Sequence, residues 1–184
     1  MKWFCLFLCS WLFIAVQVVA QVEVPEAFQE KLEQSGLQLL FPGDMGYKEV
    51  RLPKNDFHRC DFGIYSKQED LEIRYALTLY DEAAAATSVP NVLATRAALS
   101  VATNDEEAVM TALRFDKNYL EEVFQADWAA AWFFTPKLGF SSKKYCQLLV
   151  LHRNEVATAF IFFLFDDPNN SAIDYRFVAA KFAE

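Results

Sequence analysis

Hydrophobic and polar residues alternate along two neighbouring stretches of the chain, residues 59–67 and 71–80. Side chains of a β-strand point alternately to opposite faces, so this pattern predicts a strand in each stretch. Only residues 68–70 separate the two, which predicts a β-hairpin. One face of the second strand is wholly apolar, and the other begins with Glu72 and Arg74. We therefore expect the first face to pack in the core.

A second pair of apolar stretches, residues 144–152 and 155–165, lies close together near the end of the chain. Arg153 and Asn154 separate them, and a short polar turn between apolar stretches is typical of a β-hairpin. The later stretch is apolar on both alternating sets of positions, as in strands that are covered on both sides. We therefore expect it in the middle of a sheet.

Helical patterns occupy much of the remaining chain. The first predicted helix begins near Pro25 and ends at Gly36, since proline suits a first helical turn and glycine favours a helix end. Asn104 followed by Glu107 resembles the cap of another helix. Further helices are predicted over residues 91–104, 117–128 and 171–183.

The order of these elements indicates the fold class. Residues 37–41 and 47–52 predict an early pair of strands, joined by a turn rich in proline and glycine. Strands joined by short turns form antiparallel sheets, and separate runs of helices and strands indicate an α+β domain. We therefore expect an antiparallel sheet with helices packed on it. The doubly apolar strand requires helices on both faces, or helices on one face and a partner subunit on the other.

The first twenty residues have the pattern of an export signal. Lys2 precedes an apolar run, and Val18 and Ala20 supply the small side chains that a cut before Gln21 requires. An uncleaved anchor is the alternative, since residues 3–20 approach the length that spans a membrane. The sequence thus predicts a signal peptide at 1–20, one domain at 21–184, and a periplasmic or extracellular location.

Charge narrows the classes of partner. Removing the leader takes away Lys2 alone, which leaves 16 of 17 basic residues against 25 acidic ones and a net charge of −9. Nucleic acids and anionic membrane surfaces attract positively charged proteins, so neither is an expected partner. Membrane contact is expected only if the leader is retained. The sequence makes no prediction of oligomeric state.

Two cysteines remain after the leader, Cys60 and Cys146. An even pair in an oxidising compartment favours a disulfide. Such a bridge would close a loop of about 86 residues and stabilise the fold by roughly 4–5 kcal/mol in the chain-entropy model. Two separate buried thiols are the alternative.

Catalytic and metal-binding motifs are not evident. The five glycines form no phosphate-binding loop, and the two histidines, His58 and His152, do not share a metal-binding spacing. Cys146 and His152 would lie about 20 Å apart along an extended strand, too far for one metal ion. We therefore expect no metal and no cofactor. A catalytic cysteine–histidine pair is not predicted either, because the sequence contains both residue types but no feature that activates a cysteine.

Asp127 is the most unusual polar residue, because it lies within the aromatic and alanine-rich stretch 124–134. A continuous helix would turn its carboxylate towards the core, where a charge requires a partner, and Arg74 is the expected one. Alternatively, Asp127 caps a new helix that starts at Trp128. A third possibility is ligand binding or catalysis, which makes Arg74, Asp127 and Trp128 the candidate binding residues. The surrounding aromatic side chains are expected to be core.

The strings "LEIRYALTLY", "FQADW" and "LLVLHRNEVATAFIFFLFDD" are similar to exported bacterial proteins of unknown function. The order of elements resembles the PsbP-like α/β fold. This resemblance implies a fold and a location in the cell envelope, and it assigns no catalytic residue. Proteins of this fold are often assembly or accessory factors, which favours binding by analogy.

Two functions follow from these observations. The first is an exported, non-catalytic binding or accessory protein of the cell envelope, with a protein partner or a small ligand. The alternative is a small secreted enzyme whose site is built around Arg74 and Asp127.

Overall fold

A computed structural model describes residues 22–183, except residues 42, 44, 55 and 84–88. The predicted leader, its cut before Gln21 and the alternative anchor therefore lie outside the described residues. Within the described part, none of the helices has the length and apolar character needed to cross a membrane.

The fold is α+β, as predicted. The helices of the described chain are α1 (Glu26–Ser35), α2 (Pro90–Val101), α3 (Lys117–Tyr119), which continues as a π-helical turn over Leu120–Phe124, and α4 (Ala172–Phe177). The strands are β1 (Leu37–Leu39), β2 (Lys48–Glu49), β3 (Phe62–Ser66), β4 (Leu71–Leu79), β5 (Thr111–Arg114), β6 (Trp128–Phe134), β7 (Tyr145–Arg153), β8 (Ala157–Phe165) and β9 (Ala180–Phe182).

Seven of the strands form one antiparallel sheet in the order β2-β3-β4-β8-β7-β6-β5, and β1 pairs separately with β9. Both predicted hairpins, β3–β4 and β7–β8, are confirmed. Strand β8 lies in the centre of the large sheet, and every one of its residues is buried. Its continuously apolar sequence predicted this position correctly, because a central strand has no solvent-facing side.

The large sheet has two covered faces. The Tyr75 face carries Tyr75, Ile161 and Leu149 side by side on β4, β8 and β7. It is packed against α1, the helical turn that ends at Phe124, α4 and the β1–β9 pair. This cover buries a large aromatic cluster, so the Tyr75 face forms the main hydrophobic core.

The Arg74 face is the opposite side of the same strands, with Arg74, Phe162 and Leu148 side by side. Alanines of α2 pack on it above β6 and β7. Residues 50–61, which connect β2 to β3 and contain no described helix or strand, cover the part above β4 and β8. One face is therefore covered mainly by regular elements, and the other is covered in part by an irregular segment.

The stretch around Asp127 is a strand where the sequence predicted a helix. The helical residues end at Phe124, and Gln125 has a left-handed backbone with φ 51°. Residues 128–134 form β6, which lies between β5 and β7. Six of its seven residues are half-buried or buried, on both faces. The helical spacing of apolar residues over 117–128 predicted a helix that reaches Trp128, whereas pairing within the sheet determines the outcome.

Three further predictions are wrong. Strand β1 pairs with β9 at the end of the chain, and β2 pairs with β3, so the predicted early strand pair does not form. The last predicted helix ends at Phe177 and gives way to β9. Asn104 and Glu107 cap no helix, because the residues after them lead into the exposed edge strand β5. The first two errors involve β1 and β9, which pair from opposite ends of the described chain.

Candidate functional site

A cleft with a volume of about 460 Å³ opens on the Arg74 face, beneath the irregular residues 50–61. Arg74 projects from β4 into it, and the other walls come from the irregular segment itself. The residues that line it are Leu52, Pro53, Lys54, Asp56, Arg59, Cys60 and Arg74.

The irregular segment is held on the sheet by apolar and aromatic contacts. Gly63 allows it to approach closely, since a Cβ atom added there would lie 2.7 Å from Leu52 Cδ2. The ring of His58 lies 5.0 Å from that of Phe160 and 5.1 Å from that of Phe162. These contacts place the ends of the segment on the sheet and leave the cleft between them.

Arg74 lies at the floor of the cleft and is only 5% exposed. Its Nε donates a hydrogen bond to Glu72 Oε1 at 2.6 Å, and its Nη1 donates to the backbone oxygen of Phe140 at 2.6 Å. The guanidinium carbon also lies 4.8 Å from the centre of the Phe140 ring. These contacts fix the arginine in place and compensate its charge through Glu72.

Arg74 and Asp127 do not meet. The register of the strands places them three strands and five residues apart, roughly 20 Å at ordinary strand spacing. Asp127 is exposed, and its Oδ2 accepts a hydrogen bond from the backbone N–H of Asn154 at 2.8 Å. The predicted ion pair and the predicted helix cap are both wrong. The alternative prediction, an enzyme site built around Arg74 and Asp127, is not supported because these two residues lie far apart.

Trp128 lies outside the cleft. It starts β6 beside His152 of β7, and its ring packs against Trp132 with 6.3 Å between the centroids. Trp132 and Phe134 are buried, as expected of core residues, whereas Phe133 on the other face is partly exposed. Of the three candidate binding residues, Arg74 alone is part of the cleft.

Both cysteines are free thiols in the structure. Cys60 lines the cleft, and burial raises the pKa of its thiol to about 12, although the nearby Arg74 acts in the opposite direction. Cys146 is fully buried on β7, and burial raises its pKa as well. Both side chains pack in the apolar cluster of the Arg74 face, and a bridge between them stays a prediction.

The two histidines occupy separate places on the Arg74 face. Burial lowers the pKa of both rings, and the neighbouring Asp61 partly offsets this for His58. His152 Nδ1 lies 2.8 Å from Thr158 Oγ1, within a hydrogen bond. In the described part of the chain, no three His, Cys, Asp or Glu side chains are grouped so as to hold a metal ion.

A second hollow of about 590 Å³ lies beside the first and shares Arg59 and Cys60 with it. Helix α1 forms its far wall. Lys31 Nζ lies 2.8 Å from Asp61 Oδ1, and Asp61 Oδ2 accepts a hydrogen bond from the backbone of Leu77. The charges of this lysine and this carboxylate neutralise each other. The residues that line the first cleft therefore have the larger imbalance between positive and negative charges.

One feature of the sequence indicates this cleft, although the hydrophobic patterns that predict strands and helices do not reveal it. Residues 48–59 hold four basic and two acidic residues, in a chain whose net charge is −8. Lys54 and Arg59 are the members of this basic stretch that line the cleft. A local excess of positive charge in an acidic chain was therefore the feature that could have identified them.

No protein-family model, curated protein or solved structure matches this chain. The α+β class is confirmed, whereas the finer resemblance to the PsbP-like fold stays a prediction.

Proposed function

We propose that this chain is an exported, non-catalytic binding protein of the cell envelope and that it holds a small ligand in the cleft beneath residues 50–61. The observation that carries this proposal is the cleft with Arg74 at its floor. Its volume of about 460 Å³ falls within the range that small-molecule sites commonly occupy. Buried polar groups that reach such a cleft orient a ligand.

Binding is favoured over catalysis by the state of the reactive groups. A cysteine acts as a nucleophile through its thiolate, and active sites lower the thiol pKa to form it. The pKa of Cys60 is raised to about 12, so the thiol stays protonated at neutral pH. His58 packs against two phenylalanine rings, and Asp127 lies far away on an exposed turn. None of these three described residues is therefore an activated nucleophile in the cleft.

Export is proposed from the beginning of the sequence. The pattern of residues 1–20 is that of a signal peptide, and the acidic balance of the remaining chain suits a soluble envelope protein. Sequencing the amino terminus of protein recovered from its native cells tests this step. We expect a chain that starts at Gln21 in the envelope or external fraction. Protein that keeps Met1 and is found in the cytoplasm would contradict export.

The binding step is tested by filling the cleft. Purified protein is incubated with an extract of envelope small molecules, recovered and denatured, and the released compounds are identified by mass spectrometry. We expect a compound that the unmodified chain enriches and the Cys60→Leu variant does not. The matched control is Ala112→Leu, which adds similar volume on exposed strand β5. Equal enrichment by all three proteins, or by none, would contradict binding in the cleft.

A further inference from the structure

We propose that the ligand of this cleft carries an oxyanion, a carboxylate or phosphate group, which binds to Arg74 and is attracted by Lys54 and Arg59. This inference rests on the proposed function, since it names the chemical class of the ligand in the same cleft.

The first argument is the unused hydrogen-bonding capacity of Arg74. Its Nε and Nη1 are engaged by Glu72 and by the Phe140 carbonyl. Its Nη2 makes no hydrogen bond with any residue that the structure describes. Arg74 is 5% exposed and lines the cleft, so its guanidinium is held at the surface that a ligand in the cleft would contact. A held guanidinium with a free N–H group is suited to an oxyanion.

The second argument is the charge of the lining. Lys54, Arg59 and Arg74 face a single acidic lining residue, Asp56. Glu72 compensates Arg74 from outside the lining, so the attraction for an anion comes from the two exposed cations. The rest of the chain is acidic, which makes this cleft a local positive region. A negatively charged ligand is therefore favoured here over a neutral or cationic one.

The third argument is the size and the apolar wall of the cleft. Leu52 and Pro53 line it beside the basic groups, and its volume of about 460 Å³ is far larger than an inorganic ion. Bound ions alone would leave most of the space to water. A ligand with a compact apolar body and one oxyanion would occupy both parts, so we expect an organic acid or an organic phosphate.

Calorimetric titration with defined probes tests the inference. The probes are hexanoate and phenyl phosphate, with hexanamide, hexylamine and inorganic phosphate for comparison. We expect at least one of the two organic anions to bind more tightly than the neutral, cationic and inorganic probes, and added salt to weaken its binding. Tight binding of hexanoate alone identifies a carboxylate site, and tight binding of phenyl phosphate alone identifies a phosphate site.

Variants locate the binding. The double variant Lys54→Gln/Arg59→Gln changes exposed side chains only, and we expect it to weaken binding about fivefold. Lys117→Gln/Lys181→Gln removes the same charge at exposed positions outside the cleft and should have no effect. Arg74→Lys keeps the charge but loses the planar guanidinium, so a loss of about tenfold or more is expected. Thermal unfolding must first show that each variant is folded.

The outcomes separate this inference from the proposed function. If hexanamide or hexylamine binds as tightly as the organic anions and Cys60→Leu abolishes that binding, the oxyanion inference is overturned and the cleft remains a binding site. If the control double variant weakens binding as much as the cleft double variant, the anions bind non-specifically and the inference is overturned. If no probe binds and the extract yields no cleft-dependent compound, both proposals fail.

Discussion

The Tyr75 face of the sheet is covered by α1, the helical turn that ends at Phe124, α4 and the β1–β9 pair. The Arg74 face is covered by α2, by the irregular residues 50–61 and by Phe140. The Tyr75 face buries mainly aromatic and aliphatic side chains, together with Ser35, Ser66 and most of the Glu69–Arg176 ion pair. The Arg74 face holds Arg74 and His152, the only buried arginine and the only buried histidine in the part of the chain that the structure describes. A buried arginine and a buried histidine thus distinguish the Arg74 face from the Tyr75 face.

This difference follows from the kind of cover. Helices and paired strands satisfy their own backbone groups, so they present continuous apolar surfaces to a sheet. An irregular segment leaves gaps, and polar side chains of the sheet can reach solvent or one another through them. Arg74 and Glu72 pair beneath such a gap, and the cleft is the gap itself. We therefore expect ligand binding to depend on the Arg74 face, and the Tyr75 face to serve stability.

The largest expected effects come from two adjacent residues of β8 that face opposite sides. Phe162 packs against His58 and Phe140 on the Arg74 face, and Phe163 packs against Phe177 on the Tyr75 face. Both are fully buried, so replacing either with alanine should cost about 3–5 kcal/mol of unfolding free energy, measured by urea denaturation.

The same two variants should differ at the cleft. Phe162→Ala removes a support of the irregular segment, so the native Cys60 thiol should react faster with an alkylating reagent. Phe163→Ala should leave that rate unchanged under conditions in which both proteins remain folded. Equal acceleration in both variants would mean that the two faces are not independent.

The next largest effect is expected from Arg74→Met. It strands the carboxylate of Glu72, whose side chain is 18% exposed, and it leaves the Phe140 carbonyl without its donor. Because Glu72 can still reach water, we expect a loss of about 2–3 kcal/mol in urea denaturation. The double variant Glu72→Gln/Arg74→Met should lose less than the sum of the single variants.

An exposed ion pair supplies the control for Arg74. Lys117 and Glu121 lie one helical turn apart with 84% and 62% exposed side chains. Lys117→Met should therefore change stability by less than about 0.5 kcal/mol. If Arg74→Met were no more destabilising than Lys117→Met, the burial of Arg74 would have no energetic consequence.

The sequence predicted well where neighbouring segments pair with each other. The alternation in β3 and β4 and the apolar character of β7 and β8 identified two hairpins, because such pairing depends on residues close together in the chain. It failed where the partner is distant. Strand β1 pairs with β9 across most of the chain, and Glu69 pairs with Arg176, which lies 107 residues away. Local patterns contain no information on such contacts.

The cleft was predicted only in part, for the same reason. Arg74 was identified because a charge in the middle of a strand stands out against apolar neighbours. The sequence did not identify the partner of Arg74, because either carboxylate, that of Glu72 or that of the exposed Asp127, could neutralise its charge. Lys54 and Arg59 lie in an irregular segment, where no periodicity indicates which side chains turn towards the sheet.

A smaller effect is expected from acid. Burial lowers the pKa values of His58 and His152. Asp61 offsets part of this change for His58, and a hydrogen bond with Asn154 and the charge of Asp127 offset part of it for His152. Because the folded pKa values lie below the unfolded value, the unfolded chain binds protons first. The stability should therefore fall as the pH drops through about 6.5.

Urea midpoints measured at pH 7.5, 6.5 and 5.5 test this effect. Both histidines lie on the Arg74 face, so that face should account for the acid sensitivity in this range. His58→Gln/His152→Gln should reduce the loss between pH 7.5 and 5.5, whatever its cost at pH 7.5. A loss of the same size in the double variant would assign the sensitivity to other groups.

The smallest effect is expected at Asp127, although its sequence context makes it the most conspicuous carboxylate. Its Oδ2 accepts a hydrogen bond from the Asn154 backbone, and its own N–H donates to the His152 carbonyl, so it joins the start of β6 to the β7–β8 turn. Both contacts lie at the exposed end of the sheet. Asp127→Ala should cost about 0.5–1 kcal/mol in urea denaturation.

Asp127→Asn should cost still less, because the amide keeps an oxygen that can accept from Asn154. Neither substitution should alter binding in the cleft, which lies roughly 20 Å away by strand spacing. Arg74 is likewise a charged residue within an apolar stretch of the sequence, but it is buried, whereas Asp127 is exposed. A loss of several kcal/mol for Asp127→Asn would place this carboxylate in a buried ion pair, and the distinction between the two residues would disappear.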